Sequence, residues 1–376
     1  MILMNLTINN VLAFNDFDIN FSYPMKLRKT TIDGEFLSDI PSFRYKKVNI
    51  FVGANASGKT SLMKVIWRCL LFLKSKDRKY IDEIINEKYD NSYIALDLVS
   101  ENDKNEKYLV RVKIKTDNKK NEILTSISQV KLANGDSYES KKKDLDSICD
   151  NYANYIDTLN KNTFNIGWHT LLPATEFGFD IVLFQQLNSE EEREEYLFVL
   201  NSILKSLDPS IIRVTGSADS SDAYVIEHEN IGKIIVQNGY KISDIPFLSS
   251  GTKYGINIAN IIYSIKKHNV GIYIIDEQFS YVNSDVEVAL INTIVSLLSE
   301  DEQIFITTHN SNVLDIKFPF HTFNFMKKEK IEGKTVIRNY CASLVENRNN
   351  VSARSIIDND MLATAPDLTK IFELGE

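Results

Sequence analysis

The chain has 376 residues and a mass of 43.0 kDa, with 43% hydrophobic and 25% charged side chains, which is enough to bury a substantial core. Its 43 basic and 51 acidic residues give a net charge of −8, which excludes a chain-wide basic field for nonspecific binding of nucleic acid. Cys69, Cys149 and Cys341 lie far apart and argue against a zinc ribbon or a disulfide framework. Without a signal peptide or a long apolar run, the sequence predicts a soluble, cytoplasmic protein.

The first part of the chain alternates between strand and helix patterns. Residues 1–22 carry apolar side chains at alternate positions, as half-buried strands do. Residues 48–52 form a short apolar run before a glycine, which predicts a buried parallel strand, and residues 60–73 have the spacing of a helix. Residues 92–138 return to an alternating pattern, which predicts an antiparallel meander.

The second part begins with an amphipathic helix and returns to strands. The helix is predicted over 189–207, with an acidic first turn and an end before Pro209. Strands follow at 211–214, 223–227 and 233–237, and helices then alternate with apolar strands through residue 326. We therefore predict an α/β fold with an antiparallel β lobe and a mixed or parallel core sheet flanked by helices. Residues 1–376 are expected to form one unit, with an inserted helical region at approximately 141–207.

Residues 53–60 read Gly-Ala-Asn-Ala-Ser-Gly-Lys-Thr, which fits the phosphate-loop pattern G-x-x-x-x-G-K-[ST] between a predicted strand and a predicted helix. The glycines let the backbone turn, so that N–H groups and the helix N-terminus surround phosphates. In this pattern the lysine reaches the β- and γ-phosphates and the threonine binds Mg²⁺. The predicted nucleotide contacts are Gly53, Asn55, Ala56, Ser57, Gly58, Lys59, Thr60 and Ser61.

A second motif is the apolar strand 272–275, which ends in Asp276 and Glu277. In a buried parallel strand both acids reach the carboxyl edge of the sheet, where doubly wound folds bind their ligands. We predict that Asp276 holds Mg²⁺ together with Thr60, and that Glu277 polarises the attacking water. A strand that simply ends in solvated acids is the alternative, and the upstream phosphate loop disfavours it.

Two further motifs carry weaker signals. Residues 303–308 predict a buried strand followed by His309, which fits a sensor of the γ-phosphate, although a lone histidine is more often structural. Residues 248–252, Leu-Ser-Ser-Gly-Thr, precede an apolar helix, where hydroxyls and free N–H groups form either an anion site or only a helix cap. The residues predicted for the anion site are Ser249, Ser250, Gly251 and Thr252.

In this order the four motifs resemble the phosphate loop, signature, Walker B and H-loop of ABC-class ATPase heads. Within that class the sequence is similar to AAA-type ATPases related to the OLD family and to ATPase subunits of bacterial abortive-infection, anti-phage systems. The resemblance implies ATP and Mg²⁺ as cofactors. It also implies a homodimer or higher homo-oligomer that sandwiches ATP between the phosphate loop of one copy and residues 249–252 of the other. A separate effector, a nuclease or toxin, and a phage-encoded trigger would complete such a switch.

The sequence also departs from related ATPases. Lys253 and Tyr254 follow the signature in place of the pattern of transporters, and no sustained heptads separate Thr60 from Leu248, unlike in chromosome-maintenance and break-repair ATPases. Residues 280–283 replace a Ser-Leu-His-Pro phrase of the family. Too little chain follows His309 for the TOPRIM domain of OLD-type nucleases, so we expect no nuclease activity in this chain.

Two alternatives stay open at this point. One is a DNA-repair or recombination ATPase acting on DNA ends, and the other is a slowly hydrolysing, ATP-loaded scaffold that holds a toxin inactive. A solvated face is the more common explanation for the basic residues behind the first alternative, given the acidic net charge. Those residues are Lys74, Lys76, Arg78, Lys79 and the lysines 141–143. The glutamine that completes Mg²⁺ coordination in such heads is Gln129, Gln185 or Gln186, and the sequence does not choose between them.

Overall fold

A computed structural model describes residues 1–23, 31–86, 88–117, 119–162, 168–171, 187, 189–220, 223–237, 248–268, 270–345, 352–359, 361–362 and 373. The strands are β1 (Ile2–Asn9), β2 (Phe17–Asn20), β3 (Phe36–Leu37), β4 (Ile40–Arg44), β5 (Val48–Val52), β6 (Asn91–Glu101), β7 (Lys107–Asp117), β8 (Glu122–Lys131), β9 (Ala153–Asn154), β10 (Trp168–Leu171), β11 (Ile211–Gly216), β12 (Ala223–His228), β13 (Gly232–Gln237), β14 (Ile272–Asp276), β15 (Gln303–Thr308), β16 (Phe323–Ile331) and β17 (Lys334–Cys341). The helices are α1 (Lys59–Ser75), α2 (Lys79–Asp82), α3 (Tyr138–Asp146), α4 (Tyr155–Asn160), α5 (Glu190–Leu207), α6 (Ser250–Lys266), α7 (Ser284–Leu297), α8 (Ala342–Val345) and α9 (Arg354–Asp358).

The core sheet has the strand order β10-β14-β15-β5-β16-β17. All neighbouring pairs are parallel except β16 with β17, which form an antiparallel hairpin. Every residue of β5, β14 and β15 is buried, because both faces of the sheet are covered. The parallel order brings the carboxyl ends of these three strands to one edge, and the functional motifs follow there.

Alternation along the core strands divides their side chains between two apolar clusters. Ile50, Ile275 and Ile306 face a cluster that contains α5, α6 and α7. Phe51 and Ile274 face a second cluster that contains α1 and strands of the antiparallel sheet. Helix α1 therefore lies between the two sheets, with apolar residues on nearly all sides.

The antiparallel sheet has the order β2-β1-β6-β7-β8-β9 and contains the predicted meander. One buried side chain ties it to the core sheet: Gln303 accepts a hydrogen bond from the N–H of Leu3 at 2.9 Å. The same amide donates to the carbonyl oxygens of Leu3 and Lys46, each at 3.1 Å. The oxygen and the NH₂ group of a fully buried amide thus join β15 both to β1 and to the segment just before β5.

A third, smaller lobe joins α5 and α6 to the sheet β11-β12-β13. The region 141–207, which we predicted as a helical insertion, contains α4, α5 and most of α3. It also contains β10, which pairs in parallel with β14 and forms an edge of the core sheet. The predicted α/β class is confirmed, whereas the division of the chain stays a prediction. Within the described ranges, no helix combines the length and the apolar character needed to span a membrane.

Candidate nucleotide site

The loop between β5 and α1 has two residues with left-handed backbone angles and two glycines that leave no room for a side chain. Gly58 has a φ of 100° and Ala56 a φ of 61°, both in the left-handed region. A Cβ on Gly53 would lie 2.4 Å from the carbonyl oxygen of Met326, and one on Gly58 would lie 2.6 Å from Cδ1 of Ile337. The first turn of α1 contains no acidic residue, so the positive end of the helix is left for an anion.

All eight predicted nucleotide contacts lie in this loop and in the first turn of α1. Asn55 and Ala56 are exposed, and Thr60 and Ser61 are half-buried. Ser57 is buried, and its hydroxyl has no hydrogen-bond partner in the described structure. An unpaired buried hydroxyl is costly, which is consistent with a ligand at this loop.

Lys59 is 3% exposed and reaches back over the loop. Its Nζ donates to the carbonyl oxygens of Gly53 at 2.9 Å and Ala54 at 3.3 Å, and it lies 3.8 Å from Oε1 of Glu277. Burial lowers the pKa of Lys59, and the negative charges of Glu277 and Asp276 oppose that shift. The ammonium is therefore held between the loop and the acids of the neighbouring strand ends.

Asp276 is fully buried at the end of β14. Its Oδ1 accepts a hydrogen bond from the Thr307 hydroxyl and lies 3.4 Å from Oγ1 of Thr60, whereas Oδ2 has no partner among the described residues. Burial raises the pKa of Asp276 to about 6. A buried carboxylate oxygen without a partner, next to a threonine hydroxyl, fits a bound Mg²⁺, which would favour the ionised acid.

Protein ligands alone would not complete a cation site at this edge. Within the described ranges, no group of three or more His, Cys, Asp or Glu side chains is arranged to hold a metal ion. Mg²⁺ usually keeps several waters and binds one or two protein ligands together with substrate phosphates. Thr60 and Asp276 therefore fit a metal that arrives with a nucleotide.

Glu277 follows β14 with a φ of 52°, which is unusual for a residue with a side chain. The N–H of Glu277 donates to Oγ1 of Thr307 at 3.0 Å, which supports this turn. Its Oε1 lies 2.8 Å from Nε2 of His309. The two side chains are 30% and 36% exposed, so both are accessible to a ligand at the edge. Sequence reasoning placed these residues at one edge, and the structure brings them into direct contact.

The structure adds a carboxylate network that the sequence did not predict. Glu287, on α7, is 3% exposed, and its oxygens accept from the Thr308 hydroxyl at 2.6 Å and the Asn310 amide at 2.9 Å. The N–H of Asn310 also donates to Oγ1 of Thr308 at 2.9 Å. Burial raises the pKa of Glu287. The two residues that flank His309 are thus fixed to α7, and His309 is presented toward Glu277.

A sequence signal for Glu287 was available. It precedes the buried residues Leu290 and Ile291 by three and four positions, so it belongs to the buried face of α7. A glutamate on the apolar face of a helix needs a partner inside the protein. That signal indicates a buried network but does not identify the partners.

The signature residues form the start of α6. Ser249 is the N-cap, and its Oγ accepts from the N–H of Thr252 at 3.1 Å. Thr252 is fully buried and lies 3.4 Å from Oδ2 of Asp208, whereas Ser249 and Ser250 are exposed and Gly251 is half-buried. The hydrogen bonds described for Ser249 and Thr252 do not reach the phosphate loop of the same chain.

The predicted metal-binding glutamine is not identified. Gln129 is exposed on β8, opposite Val110 in the antiparallel sheet, and Gln185 and Gln186 lie outside the described residues. Gln278, which the sequence interpretation overlooked, directly follows the acid pair and is buried. Its Nε2 donates to the carbonyl oxygen of Asp276 at 3.2 Å, and its Oε1 has no partner in the described structure.

Comparisons with known proteins identify a family and a fold. The family model described as an AAA domain matches residues 5–211, more than half of the chain, and this range includes the phosphate loop. No curated protein matches the sequence. Among solved structures, the chain is similar to an Smc head bound to the C-winged helix domain of ScpA. The identity is 13%, the match covers 92% of this chain and 100% of that chain, and the TM-score is 0.52.

Two further Smc heads were found. One, with an extended coiled coil and bound to the C-terminal domain of ScpA from Pyrococcus furiosus, is 12% identical and covers 95% of this chain and 99% of that chain, with a TM-score of 0.49. The SMC head domain from Thermotoga maritima is 14% identical and covers 90% and 98%, with a TM-score of 0.44. At these identities the likeness concerns the fold, which is that of an ABC-type ATPase head.

Proposed function

We propose that this chain, which belongs to the AAA-domain family and has the fold of an ABC-class ATPase head, binds ATP with Mg²⁺ and hydrolyses it. The observation that carries the proposal is the meeting of Lys59, Asp276, Glu277 and His309 beside the phosphate loop. Phosphoryl transfer depends mainly on positioning and on stabilisation of charge, and these side chains supply both.

Each residue has a distinct role in this proposal. Lys59 and the loop amides neutralise the phosphates, while Thr60 and Asp276 hold the metal, which supplies further charge neutralisation. Glu277 orients and polarises the attacking water, and His309 contacts the γ-phosphate. The contact between His309 and Glu277 fixes the carboxylate before a nucleotide binds.

We also propose that two copies of the chain close around the nucleotide. The start of α6 exposes Ser249 and Ser250, where helix N–H groups can receive the γ-phosphate held by the other copy. Thr252 is buried inside its own chain, so its part would be to position Ser249 rather than to touch the nucleotide. ATP binding would then favour the closed dimer, and hydrolysis would release it.

The biological role that we propose is a cytoplasmic, nucleotide-dependent switch in an anti-phage system that controls a separate effector. This part depends on the sequence resemblance of the signature, Walker B and H-loop motifs to abortive-infection ATPases. A slowly hydrolysing scaffold that holds a toxin inactive is the variant of this role in which ATP binding alone acts. Turnover measured with and without the partner protein separates the two.

Three of the seven basic residues that suggested the DNA-end alternative pair with acidic neighbours. Arg78 pairs with Asp82 at 2.9 Å, and Lys79 pairs with Asp77 at 3.0 Å. Lys141 pairs with Asp144 at 3.1 Å. Acidic neighbours reduce the attraction of such residues for a phosphate backbone. Stimulation of ATP turnover by DNA ends would nevertheless favour this alternative.

The basic test is calorimetric titration of the purified chain with ATP, with and without Mg²⁺, followed by a phosphate-release assay. We expect binding that Mg²⁺ strengthens, and turnover that requires it. Absence of nucleotide binding in the folded protein would contradict the proposal. Metal-dependent cleavage of DNA or tRNA by the pure chain would contradict the expectation of a separate effector.

A further inference from the structure

The hairpin of β16 and β17 lies beside the phosphate loop and extends past it. β16 pairs in parallel with β5, and Phe325 lies opposite Val52, the last residue before the loop. From that pair the hairpin continues through Met326 to Ile331 and returns from Lys334. It therefore projects beyond the same sheet edge at which the nucleotide site lies.

Two close contacts fix the hairpin against the loop. The carbonyl oxygen of Met326 would be 2.4 Å from a Cβ on Gly53, and Cδ1 of Ile337 would be 2.6 Å from a Cβ on Gly58. Both glycines of the phosphate-loop pattern are thus places where the hairpin touches the loop. The position of the hairpin relative to a bound nucleotide is therefore set by the loop itself.

Two lysines lie on the hairpin face that touches the loop. Lys328 is directly opposite Ile337, and Lys330 is opposite Thr335. Residues opposite each other in an antiparallel pair share a face, and the contact of Ile337 with Gly58 identifies this one. Both lysines are exposed, and neither side chain forms a hydrogen bond or an ion pair with any residue that the structure describes.

The hairpin is basic in an acidic protein. Residues 327–338 include five basic and two acidic side chains, whereas the whole chain has a net charge of −8. Away from the loop-facing side, Lys327 pairs with Glu329 at 3.2 Å, and Arg338 pairs with Asp16 at 3.7 Å. Among the described hairpin residues, the lysines without a carboxylate partner are Lys328 and Lys330 on the side of the phosphate loop and Lys334 on the opposite face.

We infer that Lys328 and Lys330 line the nucleoside end of the nucleotide site and contact the α-phosphate of bound ATP or ADP. The inference rests on the proposed function. The strand order gives the direction: Glu277 and His309 follow β14 and β15 on one side of β5, and β16 lies on the other side. A triphosphate whose γ-phosphate faces Glu277 extends its α-phosphate toward the hairpin. Ammonium groups are suitable partners for that phosphate.

The test measures nucleotide affinity by calorimetry at fixed salt for wild type and for one double variant, which carries both Lys328→Glu and Lys330→Glu. We expect affinity for ATP and for ADP to fall by about tenfold each, since both nucleotides carry the α-phosphate. Lys334→Glu is the matched control, because Lys334 is exposed on the opposite face of the same hairpin, across from Ile331. If the two glutamates disturb folding, a second double variant, Lys328→Gln and Lys330→Gln, replaces them. It should lose less affinity, in the same direction.

A folded double variant with unchanged affinity for both nucleotides would overturn the inference while leaving the proposed ATPase intact. If that variant had also lost binding of a short DNA duplex, the lysines would be assigned to nucleic acid instead. Wild-type protein that binds neither ATP nor ADP would contradict the proposed function, and this inference with it.

Discussion

His309 and Glu277 are in direct contact at the carboxyl edge of the core sheet, with Nε2 of His309 2.8 Å from Oε1 of Glu277. The same carboxylate oxygen lies 3.8 Å from Nζ of Lys59. Residues that follow the three neighbouring strands β5, β14 and β15 therefore meet at one oxygen of Glu277, although they are far apart in the sequence. A carboxylate oriented in advance by its neighbours costs little reorganisation when a water must be activated.

Glu277→Gln should slow ATP turnover by roughly 10²-fold or more, because the amide keeps the shape but cannot accept a proton from water. ATP affinity should be retained, and the ATP-bound dimer should last longer than in wild type. Phosphate release and light scattering measure the two effects. Glu332→Gln, an exposed substitution in the hairpin turn, is the control. Turnover at the wild-type rate would show that Glu277 is not the catalytic carboxylate.

Lys59→Ala should abolish tight ATP binding while the fold remains. The side chain carries the charge that faces the phosphates, and it donates to the loop carbonyls of Gly53 and Ala54 and lies near Glu277 rather than packing in an apolar core. Titration of a fluorescent ATP analogue, with circular dichroism as the check on folding, measures this. Lys74→Ala, at an exposed position on the same helix, should leave affinity unchanged. A folded Lys59→Ala protein with wild-type affinity would remove the basis for the phosphate-loop assignment.

Glu287 should act as a positioning residue for His309. Glu287→Leu removes both acceptors of the Thr308 and Asn310 hydrogen bonds, so we expect kcat to fall by about tenfold while the affinity for ATP stays nearly constant. Glu287→Gln keeps one carbonyl acceptor and should recover part of the rate. Equal losses in affinity and kcat, without recovery by glutamine, would indicate a purely structural role.

The pH dependence of stability should report on Asp276. Burial raises the pKa of Asp276 from 3.8 to about 6, so its protonated form stabilises the nucleotide-free fold. This contribution is complete below the unfolded pKa and is lost as the pH rises through the folded one, by about 3 kcal/mol in all. Asp276→Asn should therefore melt above wild type near pH 8, and the difference should shrink toward acid pH.

Mg²⁺ with ADP should raise the melting temperature of the wild-type protein near pH 8 and so remove its difference from the variant, because the metal favours the ionised carboxylate. The asparagine variant should gain much less from the same addition. Calorimetric melting across the pH range measures both. A difference between variant and wild type that grows toward acid pH would contradict the assigned direction of the shift.

The placement of the phosphate loop, the acid pair and His309 at one edge was predictable because it depends on local sequence. A phosphate loop is continuous in the chain, and buried parallel strands deliver their following residues to one edge whatever the rest of the fold. The Glu287 network was not predictable in this way. Its partners follow β15, and only the packing of α7 against that edge selects them.

Helix and strand boundaries show where tertiary structure prevailed over local pattern. We expected residues 248–252 to precede the helix, but α6 begins at Ser250, because Ser249 caps it and Thr252 is buried beside Asp208. β10 lies in a region that we expected to be helical, and its pairing with β14 depends on the core sheet. Short strands of this kind take their stability from the neighbouring strand.

A nucleotide site shared between two copies of the chain can be tested by mixing two inactive variants. Ser250→Arg fills the exposed start of α6 and leaves Lys59 untouched, so it should bind ATP without hydrolysing it. Lys59→Ala lacks the phosphate contact but keeps an intact signature. In the heterodimer, the intact loop of one chain meets the intact signature of the other. We predict that the mixture regains up to one working site of two, whereas each variant alone stays inactive. Normal hydrolysis by Ser250→Arg as a monomer, or a mixture without activity despite heterodimer formation, would contradict the shared site.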